Sequence, residues 1–234
     1  MNKIIEINNV NKTYSLGTNK VKALNNINLE INQGELTVIT GYSGSGKTTL
    51  LNALGCLINI DSGNILVDGK DITKFSEKEK NNYRKKTISI IFQQYNLLND
   101  LTVYENALLG KQLGNTEANI DKILEMVELS NRKNHYPTEL SGGEQQRASI
   151  ARSLCKGGNI YLCDEPTGAL DVDNGKKVLK YLQDLAKNEN KAVIIITHND
   201  LVTLSADHII VMKDGKVVED RHNDKPIDIE KVRW

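Results

Sequence analysis

Three glycines, two serines and a lysine fall within seven consecutive positions of GYSGSGKTTL, Gly41 to Leu50. The stretch follows directly on LTVIT, a short apolar run that reads as a buried strand, and leads into a helical segment. The spacing Gly41-x-x-x-x-Gly46-Lys47-Thr48, placed between strand and helix, is that of a phosphate-binding loop. Composition explains the chemistry. Gly41, Tyr42, Ser43, Gly44, Ser45 and Gly46 can curl so that successive N–H groups point inward at phosphate oxygens. The helix start at Lys47, Thr48 and Thr49 adds its positive end. The Lys47 ammonium has the reach for the outer phosphates of a nucleotide, and the Thr48 hydroxyl is a ligand for Mg²⁺. A plain glycine-rich turn is the competing reading, and the flanking strand and helix weigh against it.

NIYLCDEP supplies the next groups. A buried strand that ends in two adjacent carboxylates needs a reason to place charge beside a core, and a metal ion is one. Asp164, at the strand's carboxyl end, is placed to hold Mg²⁺ through water. Glu165 projects differently and can polarise a water aimed at the terminal phosphate. Either acid alone would also suit a solvated loop before Pro166. A third element, ELSGGEQQRASIARSL, contains Ser141-x-x-Glu144, a capping box that opens an amphipathic helix. Gly142 and Gly143 then fill the first helical positions, where better helix formers would stabilise. Their bare N–H groups make a second anion cradle. Two phosphate-binding ends imply two nucleotides, or one nucleotide shared between two chains.

These groups need a scaffold. IIEINNV and INLEI alternate apolar and polar residues, as half-buried antiparallel strands do. LTVIT, TISIIF, NIYLCD and AVIIIT are continuous apolar runs, the mark of strands covered on both faces. Helices are expected over 47–57, 77–86, 120–129, 142–154 and 175–187. The order predicts an α/β fold with a parallel sheet, opened by an antiparallel portion. Residues 94–140 carry no good strand and read as a helical insertion. The 234 residues suffice for one sizeable domain or two small ones. Thirty basic and thirty acidic side chains cancel, which argues against nucleic acid or an anionic membrane as the main partner. Cys56, Cys155 and Cys163 lack metal-ligand spacing and are expected to be reduced, buried thiols. No apolar run approaches the roughly 20 residues of a membrane helix, and the first residues lack a signal peptide's apolar core. A soluble intracellular chain is expected, with any membrane spanning left to another subunit. The segment after Asp220 is polar and expected to be peripheral; Trp234 within it is given no role.

Taken together, these motifs resemble the ATP-binding cassette (ABC) ATPases over nearly the whole chain, from Lys3 to about Glu219. The resemblance implies a single domain: a P-loop NTPase core with a parallel sheet, an N-terminal antiparallel β portion and an inserted α-helical subdomain. Residues 1–93 and 156–220 would form the RecA-like core with its β portion, 94–155 the insertion ending in the signature helix, and 221–234 a tail. LSGGEQQR is similar to the family signature, which implies head-to-tail pairing: Ser141, Gly142 and Gly143 of one copy close on the ATP held by the other. Tyr14 in NKTYS resembles the aromatic that stacks on adenine. Gln93 in IIFQQYNLL sits where the family's Q-loop glutamine contacts Mg²⁺ and the attacking water, with Gln94 its neighbour. Gly168 to Asp171, GALD, resembles the loop that crosses the dimer interface. His198 in IIITHND resembles the switch histidine on the γ-phosphate. Read without the family, Tyr14 is a partly exposed aromatic and His198 a capping or core residue.

FQQYNLLNDLTVYENA and DEPTGALD are most similar to the branch that serves lipoprotein-release and macrolide- or peptide-export transporters. The implied protein is the ATP-hydrolysing subunit of a bacterial transporter, using ATP and Mg²⁺. Its partners would be a second copy of itself and an integral membrane permease on the inner face of the cell membrane. Antimicrobial peptides, lipopeptides or lipoproteins are the implied cargo. A cell-division ATPase that regulates wall hydrolysis, and a soluble nucleotide switch, are the alternatives. The intact Glu165 and His198 speak against a switch. The chain has neither a second cassette nor the coiled-coil or zinc insertion of ribosome- or DNA-acting relatives.

Overall fold

The computed structural model describes residues 2–17 and 19–232, so Trp234 lies outside the described residues. The long strands β1 (Lys3–Leu16) and β2 (Asn19–Asn32) pair antiparallel. Alternation buries Ile5, Ile7, Leu29 and Ile31 on one face and leaves the other polar. After β3 (Leu36–Thr40) and α1 (Lys47–Leu54), β4 (Ser62–Val67) pairs antiparallel with β1, and the short β5 (Lys70–Asp71) closes this four-stranded sheet.

A second sheet of six strands has the order β10-β9-β3-β8-β7-β6. It is built from β3, β6 (Ile88–Ile91), β7 (Ile160–Asp164), β8 (Ala192–Ile196), β9 (His208–Lys213) and β10 (Lys216–His222). All pairs are parallel except β9–β10, a hairpin turned at Asp214-Gly215. The apolar runs are explained by two cores. Val38, Tyr161, Cys163, Val193 and Ile195 face one layer, while Ile39, Ile160, Leu162, Ile194 and Ile196 face the other. One core lies under the helices that follow β6; the other lies between the two sheets, with α1 and α2 (Glu77–Lys86). A strand covered on both sides has no polar face to show.

Among the described residues no strand occurs between β6 and β7, where α3 (Val103–Gly114), α4 (Ile120–Met126) and α5 (Gly142–Lys156) lie. Helix α3, not among the helices expected, starts at a capping box of Thr102 and Glu105 and carries Gly110 and Gly114, poor helix formers. Gly114 is needed for contact instead: a Cβ there would lie 1.8 Å from the Lys156 carbonyl oxygen of α5. Helix α6 (Val172–Glu189) begins three residues before its expected start, because Asp171 caps it by accepting from the Asn174 N–H. Val178, Leu179, Leu182, Leu185 and Ala186 make its buried stripe. The three cysteines are free and buried.

The C-terminal segment departs from the peripheral tail expected for 221–234. Strand β10 continues to His222, and beyond it Ile229 and Val232 are buried against the core that α6 covers. Gln183 of α6 donates to the Ile227 carbonyl and accepts from the Ile229 N–H, which fixes the return of the chain. Two apolar residues spaced by three in a polar segment are enough to dock it.

Candidate functional site

The carboxyl ends of parallel strands in an open α/β sheet make the usual ligand crevice. Here β3 delivers the loop 41–46 and β7 delivers Asp164 and Glu165 to that end, with His198 just beyond β8. They line one cleft of about 340 Å³, with Tyr14, Ser43, Gly44, Ser45, Gly46, Lys47, Thr48, Thr49 and Gln93.

Gly46 is the N-cap of α1 with φ 101°, and no side chain caps the helix. A Cβ at Gly46 would lie 2.1 Å from the Ala23 carbonyl oxygen, so only glycine fits the approach of loop to β2. The first amides of α1 are thereby left for a ligand, and the positive helix end faces the cleft. The Lys47 ammonium folds back on its own loop, donating to the carbonyl oxygens of Gly41 at 2.7 Å and Tyr42 at 2.9 Å. Burial lowers its pKa, against the opposing pull of the Glu165 and Asp164 charges. Gly41 and Tyr42 thus meet Lys47 through their carbonyls. Tyr42 is 82% exposed and does not line the cleft.

Asp164 is buried at 6% exposure, and desolvation raises its pKa; a hydrogen bond with the Thr48 side chain and the Lys47 and His198 charges act the other way. Glu165 has a left-handed backbone, φ 48°, an uncommon conformation for this residue type. Its N–H is held by the Ile196 carbonyl at 2.9 Å. Burial raises the Glu165 pKa too, partly offset by His198, whose Nε2 lies 3.4 Å from Oε1. That Oε1 is buried and has no hydrogen-bond partner. An all-oxygen set of a carboxylate and a hydroxyl, beside a second buried carboxylate with one oxygen left without a hydrogen bond, fits a hard dication such as Mg²⁺.

A model of the ABC transporter family matches residues 24–168, more than half of the chain. The chain belongs to the ABC transporter family, as its ATPase cassette. It is 44% identical over 98% of its length to a probable syringafactin export ATP-binding/permease protein, SyfD, of Pseudomonas syringae pv. syringae. It is 41% identical over 93% of its length to the macrolide export ATP-binding/permease protein MacB of Mannheimia succiniciproducens. It spans about a third of those relatives, 36% and 34%. Among solved structures, a dimeric bacterial ABC transporter cassette, MJ0796, superposes with a TM-score of 0.89 at 38% identity, covering 94% of this chain and 98% of that one. A post-hydrolysis dimer of the same cassette, bound to ADP and phosphate, gives 0.86 at 35% identity with the same coverage.

Of the remaining site candidates, Ser141, Gly142, Gly143 and Asp171 lie outside this cleft, whereas Tyr14 and Gln93 line it. Ser141 is the N-cap of α5, its hydroxyl accepting from the Glu144 N–H in a complete capping box. The Ser141 N–H and hydroxyl and the Arg132 guanidinium hold the Glu144 carboxylate near a pKa of about 2. The capping box is present, and Gly142 and Gly143 form an exposed to half-exposed first turn. Asp171 caps α6 and borders a neighbouring cleft with Glu165 and His198. Tyr14 sits on β1 with the Lys12 ammonium 5.5 Å from its ring centroid. Gln93 is exposed in the loop after β6.

One residue escaped the sequence reading. Gln146, buried within α5, donates from Nε2 to the Glu165 carbonyl at 3.0 Å and accepts from the Ala169 N–H at 2.9 Å. It ties the signature helix to the loop that carries Glu165. A glutamine on the apolar face of an amphipathic helix was the available signal.

Proposed function

We propose that the cassette binds MgATP in the cleft beneath Tyr14 and hydrolyses it, and that two copies pair head to tail around ATP to drive a membrane permease. The Thr48 hydroxyl, Gln93 and Asp164 would hold Mg²⁺, which would supply neutralisation of charge on the outer phosphates. The amides of 43–49 cradle the phosphates, and Lys47 exchanges the Gly41 and Tyr42 carbonyls for phosphate oxygens. Tyr14 stacks on the base. Glu165 takes the proton of the attacking water, with a pKa that burial brings closer to neutral pH. His198 orients Glu165 and meets the γ-phosphate. Ser141, Gly142 and Gly143, outside the cleft of their own chain, serve the partner's nucleotide, and Asp171 lies at the interface between copies.

The observation that carries this reading is the meeting of Lys47, Asp164, Glu165 and His198 in one cleft. Relatives named for macrolide and syringafactin export support an export role. Among the described residues no helix is long and apolar enough to cross a membrane, so the permease would hold the cassette on the inner face of the membrane. The cargo implied by the motifs is antimicrobial peptide, lipopeptide or lipoprotein. Phosphate release by the purified cassette, alone and with its permease in vesicles, tests the reading. Glu165→Gln should lower turnover about 10²- to 10⁴-fold, the contribution of a general base, while ATP binding persists. Lys47→Ala should weaken ATP roughly ten- to a hundredfold or more, since it removes a charged hydrogen-bond donor worth ~1.5–3 kcal/mol. Turnover of Glu165→Gln equal to wild type would overturn the assignment.

A further inference from the structure

At the opposite end of the sheet from the phosphate loop, two imidazoles and a carboxylate meet without a role in nucleotide chemistry. His208 opens β9 and pairs directly with His222, the last residue of β10. Their rings stack with centroids 4.4 Å apart and planes 19° apart. In the parallel register Thr37 of β3 lies beside His208, so Glu35, two residues earlier, belongs to the same face. The Glu35 Oε1 lies 3.8 Å from His222 Nδ1, and one ligand atom from each of the three residues falls within 4.8 Å of the others.

We propose that Glu35, His208 and His222 form a binding site for a zinc-class transition-metal dication. Orphaned buried atoms carry the argument. His208 is 1% exposed; its Nε2 lies 2.6 Å from Asp220 Oδ1, and its other ring nitrogen, Nδ1, is buried with no hydrogen-bond partner. Glu35 is 7% exposed; its Oε1 accepts from Asn32 Nδ2 at 3.0 Å, while Oε2 is buried and unpartnered. Buried polar atoms left unpaired are costly, and a cation satisfies both at once.

The surroundings match a metal-bound histidine. Such a ligand ordinarily gives its second ring nitrogen to a carboxylate, which is the place of Asp220 on His208. Glu35 is steadied in the same way by Asn32. Bonds of ~2.0–2.2 Å in a tetrahedron set ligand atoms roughly 3.3–3.6 Å apart, so side-chain shifts of about 1 Å close the site. The two carboxylates beside the rings, Glu35 and Asp220, carry a charge that a dication offsets. Nitrogen ligands select a borderline cation over Mg²⁺ or Ca²⁺, which take oxygen. The His222 side chain, half exposed, gives access from solvent and leaves a coordination position for water. Such an ion would pin β10, the edge strand, to the start of β3.

The test uses the whole chain, stripped of metal and nucleotide. Titrated with Zn²⁺, it should take one equivalent and melt about 5–10 °C higher at hundredfold the Kd. Co²⁺ should give the visible absorption bands of a four-coordinate site. His222→Ala, at an exposed position, should abolish both while the circular dichroism spectrum stays that of wild type. Glu35→Gln and Asp220→Asn should weaken binding by roughly tenfold or more. Mg-ADP should leave the cobalt spectrum unchanged. No saturable binding by wild type, binding by His222→Ala equal to wild type, or displacement of cobalt by Mg-ADP would each overturn the proposal.

Discussion

Asp164 and Glu165 are two carboxylates in a buried cleft with one lysine between them in charge, and burial raises the pKa of both. The folded state therefore binds more protons than the unfolded chain between the ordinary carboxylate pKa near 4 and the raised values. Stability contributed by the protonated acids is present below that window and is lost as pH rises through it. At pH 7.5 both acids are ionised at a cost to the empty cassette. Asp164→Asn and Glu165→Gln should each raise the melting temperature of the nucleotide-free protein at pH 7.5, and the gain should vanish near pH 4. A lower melting temperature at pH 7.5 for both variants would show that their contacts outweigh the desolvation. The same shift sets the sign for turnover: the acid limb of the pH–rate profile should lie above the ordinary glutamate range, because Glu165 must be ionised to accept a proton.

Helix α5 works as an element because its two ends and its buried face have different tasks. Ser141 and Glu144 close its first turn, and Gly114 lets α3 lie against its C-terminal end. Its buried face reaches the loop that carries Glu165 through Gln146, whose amide spans the Glu165 carbonyl and the Ala169 N–H. Gln146→Ala leaves two buried backbone groups unpaired, each costing about 1–3 kcal/mol. The expected outcome is a drop in melting temperature together with a fall in kcat larger than any rise in KM for ATP, since Lys47 and the phosphate loop are untouched. Gln146→Glu keeps the shape and one acceptor and should retain the Ala169 contact alone, with an intermediate kcat. Unchanged kcat in Gln146→Ala, measured by phosphate release, would reduce the residue to packing.

For the whole molecule, the separation of Ser141 from the Lys47 cleft within one chain is the decisive arrangement. If ATP is clamped between Lys47 of one copy and Ser141 of another, hydrolysis is what lets the pair reopen. Glu165→Gln stops hydrolysis and removes a charge that repels the γ-phosphate. It should elute as a dimer with ATP and as a monomer with ADP, while wild type stays mostly monomeric with both. Adding Ser141→Arg should abolish the dimer and leave single-chain ATP binding measurable, because the new side chain blocks only the partner's phosphate. A dimer that persists in the double variant would place the signature helix away from the shared nucleotide. The related cassette solved as a dimer makes this the natural assembly to test.

The sequence by itself determined the motifs whose chemistry is local. The phosphate loop, the Asp164–Glu165 pair and the Ser141–Glu144 box each fit within a few consecutive residues. Backbone curl, strand end and helix cap are set by near neighbours, so residue type and spacing reveal them. The continuous apolar strands were legible for the same reason, because burial on both faces leaves no alternation. Only tertiary structure decided what depends on distant partners. Leu36 donates to Asp207 across 171 positions of sequence, and that bond belongs to the register that sets β9 beside β3. Without that register nothing marks His208, His222 and Glu35 as neighbours, nor β10 as a sheet edge. Gln146 reads as one more polar helix residue until β7 brings the Glu165 carbonyl to it. Ile229 and Val232 read as tail until α6 offers them a face. Sequence spacing records the short-range sterics and hydrogen bonds of a motif; which motifs meet is set by packing two cores against one sheet.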